Sequence, residues 1–241
     1  VVQIWTIALV INVGYKENYL FKHIDVDIDQ LKRKNTENGR RYLTPSGALY
    51  PSVTTILSHK SKPYIDAWKK RIGYEAANKI STQAANRGTT IHKLVEHHLN
   101  NEEQKEQDGL LTLDFSNKEM YLNMKDLLSD IDNIRALEAT LYSDHLRLGG
   151  QADCIAEYKG RLSVIDFKTS NKKKTRSQCY SYFMQCSAYA IMFEERTGIP
   201  VDQSVILMTQ QDDGPAVFTA TRDEFVPKLL EARDDYELAQ L

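Results

Sequence analysis

Asp166 and Lys168 stand two residues apart near the end of an otherwise mostly apolar run, residues 162–168 (LSVIDFK). If that run is a strand, side chains i and i+2 share a face and the carboxylate and the amine point the same way. The segment before it, residues 149–158, reads as a neighbouring strand joined through a tight Lys159-Gly160 turn, which sets Asp153 beside the pair. Two carboxylates make a hard, oxygen-rich site suited to Mg2+ or Mn2+. Such an ion polarises a phosphoryl oxygen and helps to generate hydroxide, while an adjacent lysine orients water or stabilises developing charge. Taken alone, Asp-x-Lys on a strand also suits a cross-strand salt bridge. Two features argue for more. Asp166 interrupts an apolar strand, where an unpaired charge is costly, and Gly149-Gly150 ahead of Asp153 leaves room for a backbone or ligand to come close.

The elements around these residues follow from local pattern. Residues 41–43 and 48–50 flank a Pro45-Ser46-Gly47 turn and form a hairpin-like unit. Ser52 is placed to N-cap a helix over residues 53–57. Residues 63–100 read as successive helices with breaks near Gly73 and Gly88, residues 100–109 as a polar linker, and Ser116-x-x-Glu119 as a capping box opening an amphipathic helix. From residue 135 the texture changes to three strands (136–142, 149–158 and 161–168), a basic loop, and a helix over 178–197 stopped by Gly198 and Pro200. Strands over 205–209 and 217–220 and a closing helix over 222–238 complete a mixed α/β order.

Two basic clusters lie near these elements. Lys172, Lys173, Lys174 and Arg176 follow the strand carrying Lys168, where a substrate backbone would run. Lys60, Lys62, Lys69, Lys70 and Arg71 alternate with Tyr64 and Trp68, a mixture that suits single strands whose bases stack. A solvated loop for the first cluster and core packing of Trp68 for the second are the plainer alternatives.

In combination, Gly150-Gln151-Ala152-Asp153 followed by Val164-Ile165-Asp166-Phe167-Lys168-Thr169 resembles the core of PD-(D/E)XK nucleases. Gln185 and Tyr189 resemble the QxxxY motif of the RecB-type branch, and residues 87–92 (RGTTIH) its helix histidine, His92. Residues 50–57 (YPSVTTIL) look like the N-terminal signature of the mitochondrial genome maintenance exonuclease group and its phage relatives. The resemblance covers roughly residues 38–210. It implies a restriction-endonuclease-like α/β core, a mixed central sheet flanked by helices, with an N-terminal helical region. By the same resemblance Asp153 and Asp166 would bind the metal, joined by the Phe167 backbone carbonyl, with His92 completing or abutting the site. Lys168 would be the catalytic lysine. Gln185 and Tyr189 would steady it or hold a phosphate, with helix-to-sheet packing as the alternative. Glu138 would be an additional acid or a solvated strand charge, and Glu96 would orient the His92 imidazole. Ser52 and Arg87 join Lys69, Lys70, Trp68 and the 172–176 cluster as expected DNA contacts. His97 and His98 read as surface residues.

The implied activity is a Mg2+-dependent DNA exonuclease, with Mn2+ able to substitute, acting on single-stranded ends in replication, repair or recombination. An endonuclease or a duplex-specific recombination exonuclease on the same core is the catalytic rival, and a noncatalytic nucleic-acid-binding protein the rival of another class. The expected organisation is an extension over residues 1–37, a hairpin and helical region over 38–134, and a nuclease core over 135–241, with 38–241 one compact domain.

Overall charge argues against a polyanionic partner, and its distribution reverses that argument. The 241-residue chain has a net charge of −2. Residues 1–100 carry an excess of +7 and residues 140–210 of +2, whereas residues 101–139 and 211–241 carry −6 and −5. Charge acts locally, so a basic face can serve a protein of acidic pI. At 41% apolar content the chain can bury a core, and dominant disorder is excluded. Three cysteines without a C-x-x-C spacing disfavour a disulfide scaffold, a zinc site and an iron–sulfur cluster. The apolar run over residues 4–13 is shorter than the ~20 residues that cross a bilayer. It lacks the basic start of a signal peptide, and a transit peptide fits worse. The expectation is therefore a cytoplasmic protein of a bacterium or phage-infected cell, or a mitochondrial relative, with no membrane partner.

Overall fold

In a computed structural model the protein is described over residues 20–240, so the apolar run at 4–13 lies outside the described residues. The chain opens with a small antiparallel sheet of β1 (Lys32–Thr36), β2 (Gly39–Leu43) and β3 (Leu49–Pro51). The hairpin around Gly47 matches the expectation, and β1 adds a third strand from a stretch read only as charged. Helix α1 (Val53–His59) begins at Ser52, whose hydroxyl accepts from the Thr55 amide at 3.0 Å. Then come α2 (Lys62–Ile72) and α3 (Tyr74–Leu99), separated at Gly73 with φ 89°. Gly88 does not interrupt α3, because a glycine inside a helix only weakens it.

Two expectations about the next segment are corrected. Residues 103–111 form a helix, α4 (Glu103–Leu111), so the link is confined to residues 100–102. Helix α5 (Phe115–Leu128) is capped by Asp114, whose carboxylate accepts from the Asn117 amide at 2.8 Å, and not by Ser116. A charged acceptor two residues earlier satisfies the free amides first.

The core is a five-stranded sheet in the order β4 (Ile131–Ser143), β5 (Leu148–Tyr158), β6 (Arg161–Ser170), β7 (Gln203–Gln210) and β8 (Gly214–Thr221). Strands β6 and β7 run parallel through the crossover helix α6 (Tyr180–Thr197), and the other pairs are antiparallel. Lys159 and Gly160, both with positive φ, make the tight β5–β6 turn. Helix α7 (Arg222–Leu238) closes the described chain.

Side-chain alternation sorts the sheet into two faces. Val164, Ile206 and Met208 pack with Phe183, Met192, Phe193 and Leu229 of α6 and α7. Ile165, Phe167, Val205 and Leu207 pack with Ile91, Leu94, Met120 and Met124 of α3 and α5. Asp166 continues the Val164 face, so it and Lys168 turn toward α6, while Phe167 turns toward α3. Only the C-terminal half of α3 is bedded in this core. Its first half buries Ala77 alone, and α2 buries nothing fully, with Tyr64 78% and Tyr74 58% exposed.

Candidate active site

The three central strands bring their acids together by register. Leu137↔Cys154 and Ala139↔Ala152 bracket Glu138 opposite Asp153, and Cys154↔Ile165 leads directly to Asp166 on the far side of Asp153. Strand β4 makes this possible through an irregularity. Its register shifts between Asp132 and Ala136, and Glu138 itself has φ 49°. A non-glycine residue in that region is strained, and such strain inside a strand serves to re-aim a side chain. Gln151 holds Glu138 in place, its Nε2 donating to both the carbonyl and the carboxylate of Glu138 at 3.0 Å.

Helix α3 presents His92 against this row. Nε2 of His92 lies 2.8 Å from the Phe167 carbonyl oxygen, while Nδ1 is 3.7 Å from Asp153 Oδ2 and 3.9 Å from Glu138 Oε1. Ligand atoms of His92, Glu138 and Asp153 all lie within 4.8 Å of one another, so these three could hold a metal ion. Hard carboxylate oxygens with one imidazole fit a divalent cation. Asp153 also accepts from the Phe167 amide at 2.9 Å, which locks β5 to β6 where the acids meet.

Asp166 stands apart from that trio. Its Oδ2 is 2.5 Å from Lys168 Nζ, and its Oδ1 accepts from Gln185 Nε2 at 3.1 Å. The carboxyl is 1% exposed, and burial pushes its pKa up against the attraction of Lys168. Burial works against the Lys168 ammonium as well, but Asp166 and Asp153 outweigh it and keep the proton on. The ammonium also sits 5.0 Å over the ring of Tyr182. At His92, burial disfavours the charged ring; Asp153 and Glu138 overcome this and raise its pKa. Glu138 is raised chiefly by burial. The site therefore holds a buried ion pair next to a partly open trio of one histidine and two acids.

Other expected residues fall into three groups. Tyr189 is buried at 2% exposure with its ring against Gly150, and Tyr42 of β2 packs on Gly149. The paired glycines thus admit two tyrosine rings in place of a ligand. Arg87 Nε lies 3.5 Å from Thr169 Oγ1, just beyond Lys168, whereas Ser52 is 1% exposed and its hydroxyl is spent on Thr54 and Thr55. Lys60 pairs with Glu231 and Asp235, Lys173 with Asp213, and Arg176 with Glu224, while Lys172 and Lys174 make no ion pair among the described residues. Lys69 and Trp68 are half-buried and Lys70 exposed on α2, away from any core cluster. Glu96 makes no bond to His92 among the described residues; Phe167, Asp153 and Glu138 orient the ring instead. His97 and His98 are not solvated surface groups, since their Nδ1 atoms meet Glu102 at 2.6 Å and Glu106 at 2.8 Å.

Gln151 enters the sequence reading only as part of the motif at residues 150–153, and Tyr182 and Tyr42 are given no site role there. Gln151 and Tyr182 nonetheless touch the site, and Tyr42 packs on Gly149 beside it. Gln151 had a usable signal, because two residues before Asp153 on a strand puts it on the same face.

The sequence profile of the PD-(D/E)XK nuclease superfamily matches residues 67–240, which span β4 to α7 and the helix bearing His92. The chain belongs to the PD-(D/E)XK nuclease superfamily. Among named relatives it is similar to mitochondrial genome maintenance exonuclease 1 of Homo sapiens (30% identical over 179 residues) and of Mus musculus (28% over 183). The same protein of Xenopus tropicalis is 29% identical over 184 residues. Each match covers 69% of this chain, and the chain spans about half the length of these curated relatives. The three cysteines of this nuclease chain, Cys154, Cys179 and Cys186, are all buried and unbridged. No helix among its described residues is long and apolar enough to cross a membrane.

Proposed function

We propose that the chain is a metal-dependent DNA exonuclease that hydrolyses phosphodiester bonds from single-stranded ends. The observation that carries this reading is the placement of the His92–Glu138–Asp153 trio beside the buried Asp166–Lys168 pair. A divalent cation, Mg2+ with Mn2+ as substitute, would supply Lewis-acid polarisation of the phosphate and acidify bound water. Asp153 and Glu138 would hold it, with Asp166 and the Phe167 carbonyl as the further ligands that the family pattern implies and His92 completing the set or fixing that carbonyl. Lys168, kept charged by Asp166, offers a proton and a positive charge to the oxygen that becomes negative as the phosphorus is attacked. Gln185 holds Asp166 from the helix side, and Tyr189 fills the sheet beneath.

The preference for a free strand end rests on α2 and the first half of α3. They lie largely outside the core and present Lys69, Lys70 and Arg71 with Tyr64, Trp68 and Tyr74, which suits a strand held by phosphate contacts and base stacking. Arg87, Lys172 and Lys174 extend that track past Lys168. Residues 38–134 would then form the substrate-guiding region and 135–241 the nuclease core. Replication, repair or recombination is the setting that fits end-dependent degradation. A time course with 5′- and 3′-labelled single strands, blunt duplexes and closed single-stranded circles, in Mg2+ and in EDTA, tests the reading. Linear strands should be lost only with metal, and circles should survive; equal loss of circles identifies an endonuclease, and no loss of any substrate identifies a binding protein.

A further inference from the structure

The small sheet carries arginines whose location the sequence did not assign. Register pairs Arg33 with Tyr42 and Asn35 with Arg40, so Arg33, Arg40 and Tyr42 share one face of β1–β2. Lys32, Lys34 and Arg41 share the other. The Tyr42 face is the one turned to the core sheet, since Tyr42 is 1% exposed and its Cβ would lie 2.8 Å from a Cβ built on Gly149. Its hydroxyl lies within electrostatic reach of Arg40, Arg33 and Glu138 together. The arginines therefore border the side of the site where Glu138 enters.

Two further observations make this more than a charged strand. The backbone of Arg40 is pinned: its carbonyl accepts from the Ser52 amide at 2.8 Å, and its amide donates to Thr55 Oγ1 at 3.2 Å. Ser52 in turn bridges to Gly149 of β5, four residues before Asp153. Secondly, every arginine from Arg135 onward is paired with a carboxylate. Arg33 and Arg40 are exposed and make no such pair among the described residues. Guanidinium groups with no carboxylate partner among the described residues, one of them hydrogen-bonded to the Tyr42 hydroxyl, stand on a fixed backbone next to a row of acids that repels anions and are placed to offset that repulsion. The planar guanidinium fork matches phosphate oxygens in pairs.

We infer that Arg40, with Arg33 beside it, grips the phosphodiester backbone next to the scissile phosphate, from the side of the site opposite Lys172. This rests on the nuclease reading above, and it adds a positioning contact from a sheet outside the matched nuclease segment.

The test is binding of a labelled single-stranded oligonucleotide in EDTA across a salt series, with cleavage in Mg2+ measured in parallel. Arg40→Ala should weaken binding several-fold and flatten the log K against log salt slope by about 0.7, the value of one lost single-strand phosphate contact. The Arg33→Ala/Arg40→Ala double variant should flatten it further. Arg40→Lys should restore the slope without the full affinity, and Lys34→Ala, on the other face, should match the wild type. Unchanged melting temperatures show that the exposed substitutions leave the fold intact. A wild-type slope and affinity in the double variant, or an equal loss in Lys34→Ala, overturns the inference. If the wild type itself neither binds nor cuts DNA, the nuclease reading falls and this inference with it. If the wild type binds and cuts while Arg40 proves indifferent, this inference alone falls.

Discussion

Nε2 of His92 and the carbonyl oxygen of Phe167 are 2.8 Å apart, which ties the middle of α3 to the strand between Asp166 and Lys168. The carbonyl has a second lone pair, and the other ring nitrogen faces Asp153 and Glu138. One imidazole therefore holds a backbone oxygen while it faces two carboxylates. Hydrogen bonds that orient metal-binding groups are typically worth 10–100-fold in metal affinity or activity. His92→Ala should lower cleavage by about that factor and shift the rate against Mg2+ concentration to higher metal. An unchanged metal curve would show that His92 serves packing alone.

Asp166 and Lys168 form the most deeply buried ion pair of the site, and the two roles of that pair can be separated. Removing one member of a buried pair strands the other, at about 3–5 kcal/mol. Asp166→Asn should therefore both abolish cleavage and lower the denaturation midpoint. Asp166→Asn combined with Lys168→Met, which removes both charges, should recover much of the midpoint and none of the cleavage. DNA binding in EDTA should persist in the double variant, because the proposed phosphate contacts lie elsewhere. Cleavage by the double variant would remove both residues from the chemistry, and cleavage by Asp166→Asn alone would remove Asp166.

Gly150 has an ordinary backbone, absent from the positive-φ positions, so its requirement is one of space. A Cβ there would run into the Tyr189 ring and lie 3.0 Å from its hydroxyl. Overpacking of this kind costs about 1–3 kcal/mol. Gly150→Ala should lower the urea midpoint accordingly. Combined with Tyr189→Ala, which opens the space, it should cost less than the sum of the two single losses. Additive losses would mean that the ring does not set the limit at Gly150.

The placement of the candidate site was legible in the sequence because strand alternation and a tight turn are local rules. The placement of Asp153 beside Asp166 and Lys168 follows from period two and from Lys159-Gly160, but that pattern suits a cross-strand salt bridge equally, and a metal-site role for the three came only from the family resemblance. What escaped depends on long-range contact. Nothing local to Glu138 announces φ 49°, since that strain is maintained by Gln151 across the strand pair. Asp114 displaced Ser116 as the cap of α5 because caps compete, and α4 was hidden by a run of polar residues whose stability comes from partners on α3 and α5. The pairing of Arg176 with Glu224 bridges 48 residues and could not be anticipated from a cluster of like charges.

That hidden helix yields a prediction about pH. Glu106 of α4 is 5% exposed and accepts from Tyr121 at 2.7 Å, from Lys125 at 2.5 Å and from His98 at 2.8 Å. Burial alone would raise its carboxyl, but these three partners overcome burial and bring it from an ordinary 4.5 down to about 2. A carboxyl whose folded pKa is depressed stabilises the protein above its unfolded pKa, and that contribution fades as pH falls through the folded value. Between pH 4.5 and about 2, Glu106 should thus give up about 3 kcal/mol of stability, at 1.36 kcal/mol per pKa unit. Glu106→Gln should lower stability at neutral pH and make the loss between pH 4.5 and 2 shallower than in the wild type. Urea midpoints across that range measure both, and parallel curves for the two proteins would show that the buried glutamate is not the group that titrates.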